Sequence, residues 1–67
     1  MSRLLTLQEV AGRLRVSRPT VGRLVAAGVL PVVVLAERRR RRLLRIREDS
    51  LEQYLRTTER GVIGRVA

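Results

Sequence analysis

The chain has 67 residues, fifteen of them Arg and six acidic, with no Lys, His or Cys, which gives a formal net charge of +9 and a pI near 11.9. A domain this small buries only about 60% of the surface its unfolded form exposes, so little is left to enclose a substrate. The missing Cys and His exclude a disulfide framework, a thiolate metal site and the commonest general base, and no cofactor is expected.

The longest nearly apolar run, residues 25–36, is broken by Gly28 and Pro31 and falls short of the roughly 20 residues of a membrane span. Residues 1–6 lack the apolar core of a secretory signal, so the expected location is the cytoplasm, with no membrane partner. The positive excess favours a polyanion, because each neutralised phosphate releases counterions. Apolar residues make up 45% of the chain and recur at helical spacing, which argues for a folded domain rather than a basic disordered tail. Tyr54 is the sole aromatic residue and leaves almost no platform for stacking unpaired bases, so double-stranded DNA is the favoured polyanion.

Thr6-Leu7-Gln8-Glu9 fits a capping box and predicts a helix that ends near Leu14, with Leu7, Val10, Ala11 and Leu14 as its apolar stripe. Ser17 is a second N-cap, Pro19 falls in the first turn that follows, and Gly28 is placed to end a second helix over roughly residues 18–27. Two short helices joined by about three residues must cross steeply, as in a helix-turn-helix. The runs 32–35 and 43–46 read as a hairpin with its tip in 36–42. Period-two alternation assigns Val33, Leu35, Leu44 and Ile46 inward and Val32, Val34 and Leu43 outward. Arg47-Glu48-Asp49-Ser50 offers caps for a third helix that runs to about Thr58 on a stripe of Leu51, Tyr54 and Leu55. The predicted fold is therefore mainly α with a small β-hairpin, in the order α-α-β-β-α. A domain over 1–58 is followed by a flexible tail over 59–67.

Taken in order, 5–11, 14–21, 28–31, 45–47 and 51–55 resemble the small winged helix-turn-helix proteins of the excisionase group, which are related in fold to the DNA-binding half of MerR-type regulators. The resemblance covers about residues 4–56. It implies a non-enzymatic recombination directionality factor that binds and bends DNA near an attachment site and turns an integrase toward excision, often as several adjacent copies. A small MerR-like transcription regulator without an effector domain is the alternative, and no small-molecule effector is expected. The chain departs from the group by carrying Arg15 where the tight turn usually has Gly, which asks an L-residue to accept a positive φ at a cost on the order of 1 kcal/mol. Its wing segment, 31–46, is also longer than usual and lacks the tip Gly, so the hairpin either projects further or is partly disordered.

On the second helix, Ser17, Arg18, Pro19, Thr20 and Arg23 are the expected DNA-binding residues. Arg18 and Arg23 can each donate two hydrogen bonds to a guanine edge, and Thr20 can serve a base or a phosphate. Arg38, Arg39, Arg40, Arg41 and Arg42 repel one another unless an anion is near. At a wing tip they straddle phosphates or place one guanidinium in a narrow minor groove; otherwise they form a solvated loop. An outward strip of Val32, Val34 and Leu43 suggests self-association along DNA if the register is right. Val62-Ile63 would be a contact for an integrase or a neighbouring copy, with a frayed terminus as the plainer reading. The hydroxyls and carboxylates have no imidazole or thiol beside them, so no activated nucleophile, and no enzyme, is expected.

Overall fold

Local signals place the helices. A computed structural model describes residues 2–59. Its elements are β1 (Leu4–Leu5), α1 (Leu7–Leu14), α2 (Arg18–Ala26), β2 (Val33–Arg38), β3 (Arg41–Arg47) and α3 (Glu48–Thr58). At the start of α1 the Glu9 amide donates to Thr6 Oγ1 at 3.0 Å and the Thr6 amide donates to Glu9 Oε1 at 2.8 Å, the reciprocal pair of the predicted capping box.

Both α1 and α2 close through the same hydrogen-bonded turn. The Val16 amide donates to the Ala11 carbonyl and the Arg15 amide to that of Gly12, while Val29 donates to Leu24 and Gly28 to Val25. Each turn needs one left-handed residue. Gly28 fills that place after α2 at φ 78, and Arg15 fills it after α1 at φ 59 and ψ 45, so the expected positive φ at Arg15 is present.

The strands form a three-stranded antiparallel sheet in the order β1-β3-β2, and the full order is β-α-α-β-β-α. The hairpin is the predicted one. β1 was not predicted; its two residues pair with the far end of β3, Leu4 opposite Arg47 and Leu5 opposite Ile46. The predicted facing of β2 is off by one residue. Val34 lies opposite Leu44 and Ala36 opposite Leu43, with an irregularity between them that absorbs Leu35. Because residues directly opposite share a face, Val34 faces with Leu44 and Ile46, whereas Val33 shares the other face with Arg45. Val32 packs against the core and Leu35 is 48% exposed, the reverse of the expectation for both. Val34 and Leu43 lie on opposite faces of the ladder, so the outward strip does not form.

Leu5, Leu7, Val10, Ala11, Val21, Leu30, Ile46 and Leu51 make the core, and Leu14, Leu24, Val25, Val32, Leu44 and Tyr54 pack around it. Each fully buried Leu, Ile or Val contributes about 1.5–3 kcal/mol relative to exposure. Leu55, expected on the buried stripe of α3, is exposed. The start of α3 is capped by neither Arg47 nor its neighbours. The Glu48 amide donates to the Arg3 carbonyl at 2.8 Å and the Asp49 amide to Ser2 Oγ at 2.9 Å, so the N-terminal segment satisfies the first orphan donors of α3. All but Glu59 of the predicted tail, Val62-Ile63 included, lies outside the described residues.

Candidate nucleic-acid interface

Helix α2 is held by its own first turn. Ser17 Oγ accepts from the Thr20 amide at 3.3 Å and lies 2.8 Å from Thr20 Oγ1, with Pro19 in the first turn, where its missing amide proton loses nothing. Val21 is fully buried and Leu24 and Val25 are half-buried, which anchors one side of α2. The opposite side carries Pro19, Arg23 and Ala26, all exposed, with Ser17 and Arg18 exposed at the helix start. Thr20 is half-buried with its hydroxyl turned to Ser17, so these two residues act first as a cap. The Arg18 guanidinium lies back along the helix, its Nη1 3.8 Å from where a Cβ on Gly22 would stand.

The five wing arginines occupy the end of the hairpin, and all are exposed. Glu37 lies opposite Arg42 and Arg38 opposite Arg41, with Arg39 and Arg40 as the two-residue turn. Arg39 takes φ 55, a conformation that the first residue of such a turn leaves to glycine most cheaply. The like-charged Arg38–Arg41 pair is repulsive in isolation. The wing is a formed hairpin, which decides between the two expectations for its length in favour of projection.

Charge is segregated along the chain. From Val10 to Arg47 there are eleven Arg and a single acid, Glu37, whereas Glu48, Asp49 and Glu52 fall in the first half of α3. The first turn of α1 has Glu9 and that of α3 has Glu48 and Asp49, but the first turn of α2 has no acid. Repulsion of phosphate by these carboxylates makes α3 the poorer helix to set against DNA. Arg13, a surface cation by sequence, donates to Glu48 Oε2 at 2.7 Å, 35 residues away. Both side chains are partly exposed, so the pair contributes at most about 1 kcal/mol, yet it ties α1 to the start of α3. No local pattern could have revealed it. The Glu9 carboxyl is held below the ordinary glutamate value, first by the Thr6 amide, then by the Thr6 hydroxyl and the nearby Arg3 and Arg13.

The predicted site residues thus form two groups, one on the outer side and start of α2 and one at the end of the β2–β3 hairpin. Two helices joined by a tight turn and followed by an antiparallel wing define the winged helix-turn-helix class. The sequence model described as "Helix-turn-helix domain" matches residues 4–59, and the chain belongs to that family of DNA-binding domains. No curated protein and no solved structure matches it. Among the described residues, no helix is long and apolar enough to cross a membrane and no group of His, Cys, Asp and Glu could hold a metal ion.

Proposed function

We propose that this chain binds duplex DNA in a sequence-specific manner as an excisionase, a recombination directionality factor. It occupies and bends DNA near an attachment site and directs an integrase toward excision. The observation that carries the DNA reading is the exposed side of α2, with Arg18, Pro19 and Arg23 clear of the core and held in place by the Ser17 cap. Arg23 and Arg18 read base edges in the major groove, and Ser17 and Thr20 fix the helix start beside the backbone. Arg38–Arg42 neutralise phosphates flanking that groove, which both adds affinity and draws the duplex toward the wing. The resemblance of the ordered motifs to the excisionase group turns the DNA reading toward recombination. Adjacent copies on neighbouring sites and an integrase are the partners it implies.

Footprinting on the DNA around the chain's own gene, with and without any recombinase encoded beside it, tests this reading. Tandem protected repeats that recruit the recombinase and raise excision are expected. A single protected operator over a promoter, with no effect on recombination, would replace the excisionase role with that of a small transcription regulator. Equal binding to every duplex and to anionic vesicles would overturn both.

A further inference from the structure

The closures of α1 and α2 are one hydrogen-bonded turn built with two different residues. After α2 the left-handed place holds Gly28, for which the conformation carries no steric cost. After α1 the same place holds Arg15 at φ 59, a conformation that L side chains rarely adopt. The two bonds that close α1 come from the Arg15 and Val16 backbone amides, which a glycine would supply without the strain, so they do not account for an Arg at this place. The Arg15 side chain is exposed, makes no hydrogen bond or ion pair among the described residues, and does not cap the helix it ends. Arg13, two residues earlier, is by contrast tied to Glu48. The turn also fixes where Arg15 stands. Its amide is bonded back to the last turn of α1, and Ser17, two residues on, is the N-cap of α2.

We propose that Arg15 is a DNA-backbone contact, a guanidinium that the strained turn holds beside the start of α2 to grip a phosphate. The proposal rests on α2 being the groove helix. Arg15 sits in the turn and not on the outer side of α2, so its target is the sequence-independent phosphate, which a planar guanidinium can bind with two parallel hydrogen bonds. A turn pinned at both ends spares much of the entropy that ordering the backbone would otherwise cost on binding.

The test uses the full chain with Arg15→Gly and Arg15→Lys. Arg15→Gly relieves the strain and is expected to raise the melting temperature by a few degrees. It should also weaken a specific duplex and a scrambled duplex by a similar factor, about tenfold at 0.1 M salt, and make the slope of log affinity against log salt shallower by about one unit. Arg15→Lys keeps the strain and the charge and should retain the wild-type slope. A higher melting temperature in Arg15→Gly with unchanged affinity and slope would overturn the proposal, as would a loss confined to one duplex, which would mark a base contact. Failure of the wild-type chain to bind any duplex removes the groove-helix reading itself, and is told apart by needing no variant.

Discussion

The helical platform and the wing are built on opposite terms. In α1 and α2 each helix starts on a side-chain cap, closes on a bonded turn and sends Val10, Ala11 and Val21 into the core at 0–2% exposure. In the wing every residue from Val34 to Leu43 is exposed, five consecutive guanidiniums crowd its end, and the shape is held by the ladder between two strands. An isolated two-stranded hairpin is marginal in water. The platform therefore has its geometry before DNA arrives, whereas the wing tip gains most from an anion that relieves its repulsion. Reading sequence suits the first and adding affinity suits the second.

The sharpest way to break this division is to cut equally into the two ends of β3, the one buried with α1 and α2 in the core and the one exposed in the wing. Ile46, fully buried where β3 meets β1, should cost about 2–5 kcal/mol on replacement by Ala, which takes most of the stability a domain this small can hold. Leu43→Ala, on the same strand and 46% exposed, should stay within about 0.5 kcal/mol. Chemical denaturation of both variants measures the difference, and comparable losses would mean that the wing belongs to the core.

DNA binding separates the two regions next. Arg23→Ala should cost about 1–3 kcal/mol on the specific site and flatten its advantage over random duplex, leaving the melting temperature near wild type. Arg40→Ala should weaken every duplex alike, by roughly 1 kcal/mol, and lower the salt slope by about one unit. Titrations of specific and scrambled duplexes at several salt concentrations read both. If Arg40→Ala lost specificity and Arg23→Ala did not, the roles assigned to wing and platform would have to be exchanged.

The platform was legible in the sequence because its determinants are local. Thr6 and Glu9 are three residues apart, Ser17 and Pro19 two, and the turn that forces Arg15 to positive φ is fixed by the helix it ends. The sheet was legible only in outline. β1 is two residues long, too short to show a period, and exists because β3 offers it a free edge from more than forty positions away. The irregularity at Leu35 carries no Gly or other marker, yet it shifts the face of β2 by one residue and moved Val32 and Leu35 from their expected sides. The cap of α3 came from Ser2 and Arg3 because β1 pairs with the end of β3 and so sets these residues beside the start of α3, which periodicity does not encode. On the candidate site, α2 owed its exposed side to helical spacing and could be read. Whether Arg13 was free or paired depended on a partner 35 residues on and could not.

The smallest expected effect again belongs to the platform alone, since the wing has no capping box. Glu9 is fully exposed, so its contribution is slight, but its sign is fixed. A carboxyl that accepts the Thr6 amide is more acidic in the folded chain than in the unfolded one, so the folded state binds its proton less readily. That stability is fully present above the ordinary glutamate range and is lost as pH falls through the depressed folded value. Glu9→Gln keeps an oxygen to accept the amide but removes the titration, so the melting temperature of the variant should fall less steeply with acid than that of the wild type. Identical acid limbs in the two proteins would show that the capping box is held by the neutral hydrogen bond alone, and that the start of α1 draws nothing from the charge of Glu9.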